Sequence, residues 1–360
     1  MPIGKVRSAI RALTPYRPGK SAAQAEKEHG IADAIKLASN ENPFPPLPSI
    51  VDAVADAAEN ANRYADHRAT TLRRRLAEHV GVEPEQVTVG CGSVGLLQQL
   101  CLTYVDPGDE VVFPWLSFEA YPIYTKMMSG VAVNPPLVDH AFDMEAVAAA
   151  VNQNTKLVML ATPNNPTGTA VSTSDIKRLL EMIPSNVVVL VDEAYREFAD
   201  PALGNPVTDL LPHHQNVIIT RTFSKAYGLA GLRVGYAVTD PDIVTEMDKI
   251  LLAFAVNGAA QAAALATLDA IDEYRPRINT LLEERARVVA ALTEAGHELP
   301  DAQANFVYLP LGDKTEQIGL GLEKRGIVTR PFPGHGIRVT VGTAAENDRF
   351  LNALTESLDS

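Results

Sequence analysis

Short apolar runs alternate with helix-forming stretches between about residues 87 and 240, and this alternation constrains the fold more than any other feature of the chain. Residues 187–191 read VVVLV, which is apolar at both odd and even positions and rich in β-branched side chains. A strand of this kind is covered on both faces, as in a parallel sheet between two layers of helices. The pattern therefore predicts an α/β fold with a mostly parallel sheet.

The pattern changes beyond residue 240. Residues 242–296 are almost all helix formers with one clear break at Asn257-Gly258, and a shorter section of strand-like and helix-like stretches follows. We therefore predict a large α/β domain and a smaller α+β domain built from both ends of the chain. The predicted boundaries are 42–258 for the large domain, and 1–41 together with 259–360 for the small one.

The charge of the chain excludes several classes of function. The net charge is −13, so bulk electrostatics do not favour binding to nucleic acid or to an anionic membrane. No apolar run reaches the roughly 18–20 residues of a membrane span. The eight histidines show no metal-ligand spacing, and the pair His213-His214 is more typical of a solvated loop than of a metal site. We expect no metal, no membrane and no nucleic acid.

The cysteine content and the N-terminal segment indicate a compartment. Two cysteines, Cys91 and Cys101, cannot build a disulfide framework, and no CxxC motif is present. The N-terminal segment has no continuous apolar stretch of the kind found in secretory signals. We therefore expect the protein in the reducing cytoplasm.

Residues 90–95 (GCGSVG) match the GxGxxG pattern of dinucleotide sites, between a predicted strand and a predicted helix. A dinucleotide site also needs an acidic residue at the carboxyl end of the next strand. Here Asp109 and Glu110 precede that strand, and Pro114 and Trp115 follow it, so the pattern does not indicate NAD. Two interpretations stay open: a phosphate site at a helix N-terminus, or only a tight turn.

Unusual polar segments follow four predicted strands. Each has an ordinary interpretation as a turn, a helix cap or a solvated loop. Because the carboxyl ends of parallel strands meet at one edge of a sheet, their joint occurrence indicates a single site. The segments are residues 90–95, residues 161–168 (ATPNNPTG), residues 192–195 (DEAY) and residues 221–233 (RTFSKAYGLAGLR).

Together these segments resemble the fold-type I pyridoxal-phosphate aminotransferases, in the branch of the histidinol-phosphate and aromatic-amino-acid enzymes. NNPTG and SKAYGLAGLR are the most specific matches, and the likeness runs from residues 13–16 (LTPY) to residues 337–342 (IRVTVG). The resemblance implies a seven-stranded sheet in the large domain, pyridoxal 5′-phosphate as cofactor, and a homodimer with shared active sites.

The resemblance also implies the catalytic residues. Lys225 matches the lysine that condenses with the cofactor aldehyde and later moves the substrate's α-proton. Asp192 matches the carboxylate that pairs with the pyridine nitrogen and keeps it protonated. Tyr195 and Asn165 match the hydrogen-bond donors to the phenolic oxygen of the ring.

A cofactor phosphate in an acidic protein needs local donors. By the same resemblance these are the N–H groups of Ser93 and Val94, the hydroxyls of Thr222 and Ser224, and the guanidinium of Arg233.

Two aromatic residues have implied roles at the cofactor as well. Tyr64 matches a tyrosine that reaches the cofactor phosphate of the neighbouring subunit. Phe118 matches the aromatic that stacks on the pyridine ring, although beside Trp115 and Tyr121 it is also compatible with a core position.

Arg338 matches the arginine that binds the substrate's α-carboxylate, and Asn40 and Tyr16 resemble residues on the substrate side. In histidinol-phosphate enzymes the arginine that matches Arg330 helps to hold the substrate phosphate. Only seven residues separate Arg330 from Arg338 here, and this short loop could move Arg330. We therefore predict an aminotransferase that passes the amino group of Phe, Tyr or Trp to a 2-oxo acid such as 2-oxoglutarate, with histidinol phosphate as the alternative donor.

Overall fold

The computed structural model describes residues 4–16 and 18–358, which form fourteen strands and fourteen α-helices. The strands are β1 (Ile35–Lys36), β2 (Val87–Cys91), β3 (Glu110–Val112), β4 (Val131–Val133), β5 (Leu137–Val138), β6 (Ala141–Phe142), β7 (Thr155–Ala161), β8 (Val188–Asp192), β9 (Val217–Thr222), β10 (Val234–Val238), β11 (Phe306–Leu309), β12 (Ile327–Val328), β13 (Arg330–Phe332) and β14 (Gly336–Thr340). The helices are α1 (Ser8–Arg11), α2 (Ala22–His29), α3 (Pro48–Ala58), α4 (Thr70–Val80), α5 (Gly92–Tyr104), α6 (Ala120–Met127), α7 (Met144–Ala150), α8 (Thr173–Met182), α9 (Pro206–Asp209), α10 (Pro241–Asp248), α11 (Gly258–Asp269), α12 (Ile271–Glu294), α13 (Thr315–Lys324) and α14 (Ala344–Leu358).

The central sheet has seven strands in the order β2-β10-β9-β8-β7-β3-β4. The five strands β9, β8, β7, β3 and β4 are parallel to one another, while β10 is antiparallel to both β2 and β9. Every residue of β8 is buried, as its uniformly apolar pattern predicts. The predicted mostly parallel α/β fold is therefore confirmed. The edge strand β4 has no counterpart in the sequence analysis, because only three residues, VAV, form it.

The N-terminal and C-terminal parts of the chain come together near a second sheet, in which β11, β14 and β13 are antiparallel. Near the N-terminus β1 pairs in parallel with β12, which lies close to the C-terminus. This pairing is compatible with a small domain built from both ends, although the boundaries at residues 41 and 258 stay a prediction.

Residues 242–296 are less uniformly helical than the sequence indicates. Residues 249–257 are irregular, and a second break at Ala270 separates α11 from α12. The side chain of Asn257 accepts a hydrogen bond from the backbone N–H of Ala260, so the break at Asn257 starts a helix. In the part of the chain that the structure describes, no helix combines the length and apolarity that a bilayer span requires.

Three neighbouring strands place polar residues at one edge of the central sheet. Strands β7, β8 and β9 end at Ala161, Asp192 and Thr222, and they are hydrogen-bonded side by side. Helix α5 begins directly after β2, so its N-terminus faces the same edge. The parallel topology thus brings together the four segments that the sequence analysis singled out.

Candidate active site

One cavity lies between this edge of the central sheet and the β11-β14-β13 sheet. Fourteen of the fifteen predicted site residues line it, and Tyr64 is the exception. The lining residues among them are Tyr16, Asn40, Ser93, Val94, Phe118, Asn165, Asp192, Tyr195, Thr222, Ser224, Lys225, Arg233, Arg330 and Arg338.

Lys225 lies at the inner end of this cavity. Its Nζ donates a hydrogen bond to the carbonyl oxygen of Ser39 at 3.0 Å and lies 5.8 Å from the ring centre of Tyr195. Loss of contact with water lowers the pKa of Lys225 to about 7, and the positive charges of Arg338 and Arg233 act in the same direction. A substantial fraction of this lysine is therefore an uncharged amine near neutral pH.

Asp192 ends strand β8 and is buried. Its carboxylate accepts hydrogen bonds from the hydroxyls of Tyr121, at 3.0 Å, and Thr220, at 3.2 Å. Burial raises the pKa of Asp192 to about 6, and the two hydrogen bonds oppose that rise. In the sequence, Tyr121 stands out only as a neighbour of Phe118. The only signal in the sequence was its position three residues after Phe118.

Tyr195 is held by a residue that was expected on the substrate side. The amide Nδ2 of Asn40 donates to the Tyr195 hydroxyl oxygen at 2.9 Å, and the Asn40 backbone N–H donates to Oγ1 of Thr340 at 2.9 Å. Asn40 has a left-handed backbone, with φ of 52°, which is uncommon for a residue other than glycine. Burial raises the pKa of Tyr195 to about 12, so its hydroxyl keeps its proton and can donate it.

The opposite wall carries donors suited to an anion. Ser93 and Val94 belong to the first turn of α5, and the hydroxyl of Thr222 donates to that of Ser224 at 3.0 Å. Arg233 lies beside them, and its Nη1 donates to the carbonyl of Ala230 at 3.0 Å.

Two glycines keep this wall open. A Cβ atom at Gly92, where φ is +70°, would lie 2.5 Å from Nη2 of Arg233. A Cβ atom at Gly235 would lie 2.6 Å from the backbone nitrogen of Ser93. Both positions therefore require glycine if the arginine and the helix N-terminus are to stay close together.

Arg338 lies in strand β14 and is buried. Its Nη2 donates to the carbonyl of Ala38 at 2.6 Å, and its Nη1 donates to Oδ1 of Asn165. Its Nε is buried and has no hydrogen-bond partner among the described residues. Because both partners of Arg338 are uncharged, its positive charge is available to an anionic ligand.

The outer end of the cavity is more exposed. Tyr16 is half exposed there, and Arg330 Nη2 forms an ion pair with Oε2 of Glu119 at 2.6 Å. Phe118 lines the cavity and also packs edge-to-face on Tyr121 with ring centres 5.7 Å apart, so it combines the two positions that the sequence left open. The sequence gives no specific signal for Glu119, a single acidic residue that directly precedes helix α6.

Residues 32–354 match the sequence model of the aminotransferase class I and II family. The chain belongs to that family. Among its relatives, an aromatic amino acid aminotransferase of Rhodococcus opacus is 47% identical over 98% of this chain and 96% of its own length. Another, of Mycobacteroides abscessus, is 45% identical over 96% of this chain and 97% of its own length.

A solved structure is similar over nearly the whole aminotransferase chain. It is histidinol-phosphate aminotransferase from Sinorhizobium meliloti in complex with pyridoxal 5′-phosphate. The TM-score is 0.91 at 30% identity, and the match covers 99% of this chain and 98% of the other. The predictions of a fold-type I architecture and of a pyridoxal-phosphate-dependent aminotransferase are confirmed.

The donors of this aminotransferase fit pyridoxal phosphate at three points. The glycine-lined wall beside Arg233 offers a helix N-terminus, two hydroxyls and a guanidinium to a phosphate. Asp192, whose buried carboxylate has no cationic partner within the described residues, suits a protonated pyridine nitrogen. Lys225 supplies an amine of lowered pKa for the aldehyde. The individual roles of these residues stay predictions.

Proposed function

We propose that the protein is an aromatic amino acid aminotransferase, which passes the amino group of Phe, Tyr or Trp to a 2-oxo acid such as 2-oxoglutarate. The main support is that a single cavity contains both an amine of lowered pKa, Lys225, and a buried guanidinium with uncharged partners, Arg338. The aromatic preference is supported by full-length relatives of that name at 45–47% identity and by the rings of Tyr16 and Phe118 on the cavity wall.

The inner residues divide the work. Pyridoxal phosphate, when bound, supplies an aldehyde that captures the substrate's amino group and a ring that accepts electrons. Lys225 Nζ takes the proton from the substrate's α-carbon as a neutral amine. Asp192 would hold a proton on the ring nitrogen of the bound cofactor, while Tyr195 and Asn165 would donate hydrogen bonds to its phenolic oxygen. Asn165 Oδ1 already accepts from Arg338, so its Nδ2 is the atom left for that donation.

Substrate binding rests on Arg338. Its Nε, which has no partner within the described residues, and its Nη groups form a planar fork that matches a carboxylate. The α-carboxylate is common to every amino acid and every 2-oxo acid in the reaction. The guanidinium of Arg338 can therefore bind both substrates, and the choice between substrates depends on the residues at the outer end of the cavity.

The test compares donors in one assay with 2-oxoglutarate as acceptor: phenylalanine, tyrosine and histidinol phosphate. We expect kcat/KM for phenylalanine or tyrosine to exceed that for histidinol phosphate by at least about tenfold, because complementary side-chain contacts discriminate by that order. The reverse ranking would assign the enzyme to histidinol phosphate, the substrate that the name of the solved relative gives.

We also propose a homodimer in which Tyr64 completes the partner's phosphate site. Tyr64 is 83% exposed and stacks on Phe254 with ring centres 4.3 Å apart. Nearby, Leu252 is 74% exposed, and Leu102 and Ile250 are exposed too. Adjoining apolar side chains of this kind are typical of a protein interface.

A charge introduced among these exposed apolar side chains tests whether they form the dimer interface. We expect Leu252→Glu to produce monomers in sedimentation velocity, with weaker cofactor retention and lower activity. Leu320→Glu, a substitution of an exposed leucine elsewhere, serves as the matched control. A fully active monomer would refute the shared site.

The two free thiols, Cys91 and Cys101, support a reducing compartment, and we propose the cytoplasm.

A further inference from the structure

Two arginines face each other at the substrate end of the cavity. Strands β13 and β14 are antiparallel, and Arg330 lies directly opposite Arg338 in their register. Side chains of directly opposed residues point to the same face of a sheet, where like charges destabilise each other unless each is neutralised. The pKa of Arg338 is accordingly lowered, mainly by burial and also by the charge of Arg330.

The two arginines have different partners, and only Arg330 is neutralised within the protein. Arg338 has only uncharged partners, the carbonyl of Ala38 and the amide oxygen of Asn165. Arg330 has a carboxylate of its own chain, Glu119, at 2.6 Å. The protein therefore leaves one of the two guanidiniums free for an anion and satisfies the other internally.

From this difference we infer that Glu119 is a specificity-determining residue that discriminates against a donor phosphate at the outer end of the cavity. The inference rests on the proposed function and names the residue behind its preference. The α-carboxylate of a donor neutralises Arg338. An aromatic ring then meets an outer end where Arg330 and Glu119 already cancel.

Histidinol phosphate has no α-carboxylate, and the longer phosphate ester that takes its place extends from Arg338 toward Arg330, the opposite residue in the hairpin. A phosphate monoester near neutral pH carries between one and two negative charges, and it would have to share Arg330 with the carboxylate of Glu119. Displacing Glu119 from Arg330 breaks a close ion pair, and leaving Glu119 in place puts two negative groups side by side. Both cost free energy in a partly desolvated cleft. The second carboxylate of an acceptor such as 2-oxoglutarate carries one negative charge, as Glu119 does, so its exchange for Glu119 on Arg330 leaves the local charge unchanged, whereas a phosphate close to its doubly charged form adds negative charge there.

Glu119 can be changed without disturbing the core. The side chain of Glu119 is 35% exposed and that of Arg330 is 15% exposed, so neither is enclosed by packing on all sides. The variant Glu119→Gln keeps the size of the side chain and removes its charge. Glu119→Asp keeps the charge on a shorter side chain and is the conservative counterpart.

The experiment measures kcat/KM of the holoenzyme for histidinol phosphate and for phenylalanine. In a two-step amino-group exchange this constant reports the donor half-reaction alone, so the acceptor does not affect the comparison. We expect Glu119→Gln to raise the ratio of histidinol phosphate to phenylalanine by at least about tenfold, mainly through a lower KM for the phosphate donor. Glu119→Asp should keep the ratio closer to that of the wild type.

Further variants separate a charge effect from a general disturbance. Adding Arg330→Ala to Glu119→Gln should abolish the gain, because the freed guanidinium is what binds the phosphate. Glu78→Gln, which breaks the exposed Arg74–Glu78 ion pair, is the control. A ratio that stays constant in a folded Glu119→Gln enzyme overturns the inference. The wild-type rates by themselves test the proposed function, so the two can fail separately.

Discussion

The inner and outer ends of the cavity treat charge in opposite ways. At the inner end Lys225 and Asp192 have lost most of their contact with water, and their pKa values move toward neutrality, to about 7 and about 6. At the outer end Arg330 and Glu119 stay partly exposed and neutralise each other. The difference shows how one cavity can combine reactive groups with substrate selectivity. Burial shifts the pKa values of the reactive groups, and the ion pair contributes to the selectivity that we propose.

The largest expected effect is at the inner end. Lys225→Ala should lower turnover by at least about 10⁴-fold, because the positioned base that moves the α-proton is lost. The measurement is steady-state transamination of phenylalanine at saturating cofactor, with Lys249→Ala as an exposed control. Retained turnover above about one part in a hundred would contradict the role of Lys225 and remove the contrast between the two ends.

Arg338 joins the two ends and should give the next largest effect. We expect Arg338→Ala to lower kcat/KM by roughly 10²–10³, since truncating a buried partner of a charged ligand costs about 2–5 kcal/mol. The change should fall mainly on KM for both amino and oxo acids, with little effect on cofactor retention. The opposite pattern would move Arg338 from the substrate to the cofactor. A thermal melt of the variant separates either outcome from unfolding.

Tyr121 tests whether Asp192 needs its hydrogen bond. Tyr121→Phe should lower kcat about tenfold, because a hydrogen bond to a charged group contributes roughly 1.5–3 kcal/mol. Since that bond holds the pKa of Asp192 down, the acidic limb of the pH–rate profile should also move to higher pH. Tyr124→Phe, on the same helix, is the control. An unmoved profile would limit Tyr121 to packing.

The lowered pKa of Lys225 predicts a pH dependence of stability in the cofactor-free protein. Between pH 7 and 9 the unfolded chain carries a proton on this lysine that the folded chain has partly released, so stability should rise with pH. We expect that rise, about 1 kcal/mol per pH unit, to be missing in Lys225→Met. Urea unfolding of both proteins at the two pH values gives the difference. Equal slopes would indicate an ordinary, protonated lysine.

The smallest effect is expected at the outer end. Breaking the Arg330–Glu119 pair with Glu119→Gln should change the free energy of unfolding by less than about 1 kcal/mol, because partly exposed ion pairs contribute little. The same unfolding assay measures it. A loss of several kcal/mol would mean that this pair holds the fold, and the contrast with the inner end would disappear.

The sequence predicts best what depends on strand ends. The polar segments after β7, β8 and β9 follow unmistakably apolar runs, and the parallel topology leaves them one place to meet. For this reason the fold class and the convergence of fourteen site residues follow from the sequence and from the resemblance that its motifs carry.

Contacts between distant backbone and side-chain groups are beyond such reasoning. The Ser39 carbonyl that accepts from Lys225 belongs to a backbone, and any residue type can supply it. The pairing of Glu119 with Arg330 joins positions 211 residues apart, and no local pattern marks either partner. The antiparallel direction of β10 is likewise invisible, because a buried strand has the same apolar pattern in either direction.

The β13–β14 hairpin has a consequence for redesign. Its ladder of backbone hydrogen bonds fixes Arg330 opposite Arg338, with Cα atoms about 5 Å apart in such pairs. The distance between the backbone positions of Arg330 and Arg338 is therefore set by the sheet, and we expect insertions in the intervening turn at 333–335 to leave it unchanged. Side chains on β13 can therefore be replaced to accept new substrates, while Arg338 on β14 keeps its position for the carboxylate that these substrates share.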